Sequence, residues 1–205
     1  MVTPIRIYVE GGGDYEGTKT EFRKGFHAFL EQLQRWVGSE FRNPKVLPCG
    51  GRDLTYKSFR HALEDHPDAC NILLVDTEGP VTGKPREHLQ ATKGWQFPPD
   101  TDDNCHLMVQ AMEAWLVADR EALKRFYGLG FNENAIPRRQ NVEEIPKPEL
   151  ENCLQDAAQH TTKKEYHKTR HAPKILALLD ASVVRKAAPH CDRLFTTLQA
   201  VIEST

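Results

Sequence analysis

The chain has 205 residues, of which 39% are hydrophobic and 27% are charged, a composition typical of a soluble globular protein with one main core. Its formal net charge of -2 neither supports nor excludes a nucleic-acid partner. The five cysteines are widely spaced and contain no C-x-x-C pair, which predicts reduced thiols rather than a zinc site or a disulfide framework. No apolar run reaches the length of a membrane span, so we expect a cytoplasmic protein without a membrane partner.

A strand, a glycine loop and a helix are predicted at the start of the chain. Residues 5–9 form a β-rich run that three glycines end, and apolar residues then recur at helical spacing over residues 22–37. Thr18 followed by Glu21 has the pattern of a capping box. We therefore expect the first helix to begin near Thr18.

Two further strands and a second helix follow. Residues 46–48 and 71–75 read as strands, and the second of these is an uninterrupted apolar run that suits a strand buried on both faces. Asp53 or Thr55 can cap a helix that extends to about His66. The alternation of strands and helices predicts an α/β fold with a doubly wound, mainly parallel sheet of four strands flanked by helices.

The remainder of the chain is predicted to be loop, strand and helix in turn. Prolines and glycines over residues 79–103 predict a surface loop without long regular elements. Residues 105–128 are apolar all round, so they form either one long helix or, as we favour, a strand to about Gln110 and then a helix. A linker at residues 137–148 precedes helices near residues 149–159, 173–180 and 183–203. We expect an α/β domain over residues 1–135 and a helical extension over residues 136–205, packed on the same domain.

Carboxylates follow two of the predicted strands. Glu10 and Asp14 come after the first strand and Asp76 and Glu78 after the third, and alternate residues of an extended chain such as Asp76 and Glu78 share a side. The carboxyl ends of parallel strands meet at one edge of a sheet, where clustered acids need a divalent cation. Glu113 begins a helix at the same edge if a strand precedes it, and lies on one stripe with His106 and Gln110 if the segment is one long helix. Any one acid could equally cap a turn or pair with a surface cation, but all of them together predict ligands for Mg²⁺ or Mn²⁺, with two ions.

The glycine loop does not match a nucleotide-binding motif. In GGGDYEGTKT the order Gly17, Thr18, Lys19 breaks the G-K-[ST] pattern, and Asp14 and Glu16 bring negative charge to a cradle for phosphates. The glycine spacing does not fit the dinucleotide fingerprint either. A cluster of acids around a flexible turn is the better interpretation.

Positive side chains for phosphate oxygens are concentrated in residues 163–171, KKEYHKTRH, around a tyrosine that could stack on a base. The alternative is a solvated basic loop ahead of a helix. Arg52, at the end of the second strand, is a further candidate and could equally form a surface ion pair. The predicted phosphate or nucleic-acid contacts are Arg52, Lys164, His167, Lys168 and Arg170. His106 and Trp115 are expected to be core residues or to contact the ligands from behind, rather than to be catalysts.

The order of these motifs resembles the Toprim domain in its overcoming-lysogenization-defect (OLD) nuclease branch, and in particular small stand-alone bacterial proteins of that type. The resemblance consists of Val-Glu-Gly with a carboxylate four residues later, an apolar strand ending Asp-x-Glu, and Met-Glu-Ala-Trp. It covers about residues 5–120 and, more loosely, residues 166–171. Glu78 departs from the pattern, because the second acid of the pair is usually aspartate.

The resemblance implies a metal-dependent nuclease whose partner is nucleic acid. Such domains bind magnesium through a glutamate after the first strand and an acidic pair after the third, and a lysine stabilises the transition state. The implied metal ligands are Glu10, Asp14, Asp76, Glu78 and Glu113, and the implied catalytic residues are Glu10, Asp76 and Lys168. Since no ATPase motif is present, a separate ABC-type ATPase would provide control in an antiviral defence system.

Two other functions remain open. A non-catalytic subunit could keep the Toprim scaffold to bind nucleic acid or protein. A phosphoesterase could use the same metals on a small phosphate ester.

Overall fold

A four-stranded parallel sheet with strand order β2-β1-β3-β4 organises the fold. In this computed structural model, residues 3–38, 41 and 43–204 are described. The strands are β1 (Ile5–Val9), β2 (Lys45–Pro48), β3 (Cys70–Asp76) and β4 (Cys105–Met108). All three strand pairs are parallel, which confirms the predicted α/β sheet.

Helices follow the strands as the alternating sequence pattern predicts. They are α1 (Glu16–Glu31), α2 (Gln34–Val37), α3 (Arg52–Asp65), α4 (Pro85–Lys93), α5 (Glu113–Ala118), α6 (Arg120–Tyr127), α7 (Lys147–Ala158), α8 (Ala172–Leu176), α9 (Ala181–Ala187) and α10 (Pro189–Glu203). The strand-then-helix interpretation of residues 105–128 is confirmed, because β4 precedes α5 and α6. Within the described part of the chain, no helix is both long and apolar enough to cross a membrane.

Both faces of the sheet are covered. Alternate strand residues point to opposite sides, so Ile7 and Leu74 join the core that contains Trp115 of α5. Leu73 and Val75 join a second core beneath α3 and α4. The first core also includes buried side chains of α7, α8 and α10, so the helices after residue 136 share a core with β1 and β3. The division at residue 135 stays a prediction.

Predictions about helices were wrong at four places. The helix expected near Thr18 begins at Glu16, because the Thr18 hydroxyl donates to the carbonyls of Gly12 and Tyr15 at 2.5 and 2.7 Å and so does not act as a cap acceptor. The segment over residues 79–103 contains α4, whose first residue is Pro85, a position where the missing N–H has no helical partner to lose. The helix expected over residues 183–203 is interrupted at Ala188, and Pro189 begins α10.

The cap predicted for the second helix is also displaced. Gly51 precedes α3, which begins at Arg52. Thr55 lies inside the first turn, where its hydroxyl donates to the Gly51 carbonyl at 2.9 Å. This earlier start places the Arg52 side chain at the carboxyl edge of the sheet.

Candidate active site at the carboxyl edge of the sheet

A glycine loop forms one wall of a cavity at the carboxyl ends of β1 and β3. Gly11 and Gly50 exchange two backbone hydrogen bonds of 2.8 and 3.0 Å, which tie the turn after β1 to the turn after β2. Gly11 has φ 126°, and a Cβ added there would lie 2.6 Å from the Phe22 ring. Only glycine satisfies both conditions without strain. The cavity is about 250 Å³, and Asp76 and Lys168 also line it.

Glu10 lies between a guanidinium and the next strand. Arg52 donates to both of its carboxylate oxygens, from Nε to Oε2 at 3.0 Å and from Nη2 to Oε1 at 3.3 Å. The backbone N–H of Asp76 also donates to Oε2, at 3.1 Å. Neighbouring parallel strands therefore bring Glu10 and Asp76 together, as their positions at strand ends predict.

Asp76 is the buried centre of the site. It ends β3 with 5% of its surface exposed, and Oδ1 accepts a 2.9 Å hydrogen bond from the Met112 backbone N–H. Burial raises the pKa of Asp76 to about 7, and the nearby Glu10 and Glu113 carboxylates add to the rise, while Lys168 and the Met112 N–H oppose it. A carboxyl group with this pKa changes its protonation state close to neutral pH.

Glu113 begins α5 and is fully buried. The Tyr166 hydroxyl donates to Oε1 at 2.8 Å, and Lys168 Nζ lies 3.4 Å from Oε2. The same ammonium lies 3.6 Å from Oδ2 of Asp76, so one lysine serves two carboxylates. Burial lowers the pKa of Lys168, but Asp76 and Glu113 raise it by more.

Glu78 and Asp14 lie at the edge of this contact network, which Glu78 joins through Arg52. Strand β3 ends at Asp76, and Glu78 has φ 63°, so the expectation that the two side chains share one side of an extended strand was wrong. Glu78 pairs with Lys147 at 2.8 Å and with Arg52 at 2.9 Å. These two cations lower its pKa to about 2. Asp14 is exposed on the glycine loop.

A protein-family model matches most of the chain. A family model described as "Domain of unknown function (DUF4276)" matches residues 9–199. The chain belongs to the DUF4276 family. The matched range contains Glu10, Asp76, Glu113 and Lys168, so the site lies within the DUF4276 domain. No curated protein and no solved structure matches the chain, and the Toprim resemblance remains a prediction.

The donor set of the DUF4276 site suits a hard divalent cation, since Glu10, Asp76 and Glu113 offer carboxylate oxygens. Over residues 3–38, 41 and 43–204, no group of three or more His, Cys, Asp or Glu side chains is arranged to hold a metal ion. Cations already lie among these oxygens, because Arg52 pairs with Glu10 and Glu78 and Lys168 pairs with Asp76 and Glu113. Metal ligation by these acids, and by Asp14 and Glu78, stays a prediction that requires those cations to move aside.

The predicted basic segment is divided between the DUF4276 site and the surface. Lys168 reaches the site, while Lys164 and Arg170 are exposed. His167 contacts Arg170 and pairs with Glu165 at 2.6 Å. The idea that the tyrosine of this segment stacks on a base was wrong, because Tyr166 is 5% exposed and its hydroxyl is bonded to Glu113.

Arg52 lies at the predicted edge, but its guanidinium is already paired with Glu10 and Glu78. A role in phosphate contact stays a prediction. His106 and Trp115 are buried core residues, as expected. Burial and the nearby Arg193 guanidinium lower the pKa of His106 to about 3.

Two contributors to the site were missed in the sequence. One is the Tyr166 hydroxyl. The pattern Tyr-x-Lys ahead of α8 could have indicated it, because two alternate residues that share one side of the chain can contact the same carboxylate. The other is Lys147, whose backbone N–H donates to the Gln110 side chain at 3.3 Å and whose ammonium pairs with Glu78. Nothing in the sequence around Lys147 indicates that pairing.

Proposed function

We propose that this chain is a Mg²⁺- or Mn²⁺-dependent nuclease of the Toprim type, acting in the cytoplasm on phosphodiester bonds of DNA or RNA. A separate ABC-type ATPase would be its partner in a bacterial defence system, as the family resemblance implies. The observation that carries the proposal is the convergence of Glu10, Asp76, Glu113 and Lys168 beside a cavity at the carboxyl edge of a parallel sheet.

The charge balance of the cluster supports a functional role. Asp76 and Glu113 are buried and share one ammonium group, that of Lys168. Burying a carboxylate without full compensation is costly, and such strained electrostatics is concentrated at functional sites. A purely structural cluster could have used a neutral side chain at Asp76.

Each residue has a stated task in the proposed reaction. Glu10, Asp76 and Glu113 would provide oxygen ligands for a divalent cation. When bound, that ion supplies Lewis-acid stabilisation of the phosphate and a more acidic water. Lys168 is 46% exposed at its side chain, so its ammonium can turn from the carboxylates to a non-bridging phosphate oxygen in the cavity.

The test compares cleavage of single-stranded DNA, duplex DNA and RNA in Mg²⁺, Mn²⁺ and EDTA, with and without an ATPase partner. Glu10→Gln, Asp76→Asn and Lys168→Met should each lower the rate by about 100-fold or more. Glu64→Gln is the matched control, because Glu64 is exposed near the last turn of α3. Cleavage that is absent under all conditions, or unchanged in the three site variants, would contradict the proposal.

A non-catalytic binding subunit is the second candidate. The observation in its favour is that Arg52 and Lys168 already pair with Glu10, Asp76 and Glu113. Nucleic-acid binding should then survive Glu10→Ala and Asp76→Ala, and metal should change the affinity little. A small phosphoesterase would instead hydrolyse p-nitrophenyl phosphate and leave polynucleotides intact.

A further inference from the structure

An exposed tyrosine lies between two residues that line the cavity. Tyr15 is 76% exposed, while the four other tyrosines are buried or half-buried. It follows Gly13 by two residues and precedes Thr18 by three, and both of those residues line the cavity. Two residues span at most about 7 Å of chain, so the Tyr15 backbone lies within that distance of the cavity lining.

The backbone of Tyr15 is held in place although its ring is exposed. Its carbonyl accepts hydrogen bonds from the Thr18 hydroxyl at 2.7 Å and from the backbone N–H groups of Thr18 and Lys19 at 3.1 Å each. A Cβ added to Gly17 would lie 2.6 Å from Tyr15 Cε1, so one edge of the ring rests on the first turn of α1. The rest of its surface is open to a planar ligand.

A positive side chain lies close to the glycine loop. Lys19 is in the first turn of α1, which Tyr15 immediately precedes. Its Cγ is 3.3 Å from the position of a Cβ added to Gly12, which places the lysine stem over the glycine loop. Within the described part of the chain, no carboxylate forms an ion pair with Lys19.

The depth of the acids restricts which nucleic acids fit. Asp76 is 5% exposed and Glu113 is fully buried, so a phosphate has to enter the cavity of about 250 Å³ to reach them. The phosphates of a duplex lie on a wide, stiff helix and cannot enter the cavity. A single strand can turn its phosphate inward and splay its base outward.

We propose that Tyr15 and Lys19 form a subsite for the nucleotide next to the scissile phosphate, and that the substrate of this site is therefore single-stranded nucleic acid. The base stacks on the Tyr15 ring, and the Lys19 ammonium contacts the flanking phosphate. The inference rests on the proposed function, because it assigns the cavity to a polynucleotide.

Binding is measured without turnover, by fluorescence anisotropy of fluorescein-labelled oligothymidylate in EDTA and, in parallel, in Ca²⁺. Competing probes are the same strand with abasic sites and a duplex of equal length. Tyr15→Ser should weaken binding of the single strand by about fivefold or more, which is the lower end for loss of one stacked base. Tyr15→Phe should retain the wild-type dissociation constant within about twofold, because the aromatic face is kept.

Two further comparisons separate stacking from general charge effects. On the abasic strand, Tyr15→Ser and wild type should bind alike. Lys19→Met should weaken binding of both strands and reduce the salt dependence by about one phosphate contact. Leu129→Ser is the control for loss of an exposed apolar side chain, since Leu129 is 95% exposed and none of its neighbours in the sequence lines the cavity.

The outcomes distinguish this subsite from the nuclease itself. If Tyr15-dependent binding persists but no metal supports cleavage, the subsite stands and the nuclease proposal fails. If Tyr15→Ser binds oligothymidylate as wild type does, if the single strand does not bind, or if duplex binds equally well, the subsite is wrong even when cleavage occurs.

Discussion

Replacing Asp76 with asparagine should stabilise the protein above neutral pH, and the gain should depend on pH in a defined way. The folded environment raises the pKa of Asp76 from 3.8 to about 7, so folding disfavours its ionised form. Each tenfold change in proton affinity is worth about 1.4 kcal/mol, and this difference therefore corresponds to about 4 kcal/mol. Well below pH 3.8 the group is protonated in both states and has no such cost.

This loss of folding free energy develops as the pH rises from about 4 to about 7. Over that range the Asp76 carboxyl is ionised in the unfolded chain, while the folded chain retains its proton. Asparagine cannot ionise and is nearly isosteric with the protonated acid. The free energy of unfolding of Asp76→Asn should thus lie within about 1 kcal/mol of that of wild type near pH 4 and exceed it by up to about 4 kcal/mol at pH 8. The Met112 N–H keeps an acceptor, since the side-chain oxygen remains.

Urea unfolding in EDTA at several pH values measures the difference, and subtracting wild type from variant removes the contribution of other titrating groups. Asp100→Asn is the control for the same chemical change, because Asp100 is exposed and lies outside the site. If Asp76→Asn differs from wild type equally at pH 4 and pH 8, or is less stable at pH 8, the account of this site is refuted.

Three further predictions concern packing around the site. Tyr166→Phe should lower the free energy of unfolding by about 1–3 kcal/mol, because Glu113 loses a buried donor; urea unfolding measures it, and an unchanged midpoint would contradict it. Lys168→Met should destabilise by about 1–3 kcal/mol at pH 8 and by less at pH 5, where Asp76 is protonated; equal losses at both pH values would count against the ion pairs. Gly25→Ala should lower the melting temperature, because its Cβ would collide with the Pro173 carbonyl oxygen. An unchanged melting temperature would show that α8 can shift to accept the added methyl group without loss of stability.

The sheet could be predicted because its determinants are local. The apolar run over residues 71–75 admits a strand buried on both faces, and the glycines after residue 10 end the first strand. Helix starts were less accurate, because Thr18 uses its hydroxyl on loop carbonyls that have no signature in the sequence. The same sequence pattern allows Thr18 either to cap the helix or to donate to loop carbonyls, and the folded conformation of the turn determines which of the two occurs.

The site was predictable to the extent that parallel strands align their carboxyl ends. Glu10 and Asp76 follow neighbouring strands, so their proximity follows from topology alone. The contacts of Tyr166 and Lys168 with Glu113 span 53 and 55 positions and depend on how the helices after residue 147 pack. Glu78 was misplaced because its positive φ ends the alternation that applies within a strand.

The contacts of Tyr166 and Lys168 with Glu113 make residues 136–205 part of the site. A recombinant fragment that stopped near residue 135 would leave the Glu113 carboxylate without its hydroxyl and ammonium partners. It would also uncover the side of Trp115 and α1 that the later helices cover. The two fragments can be combined to test this. Adding residues 136–205 to residues 1–135 should restore the shared core and the ammonium partner of Glu113 together.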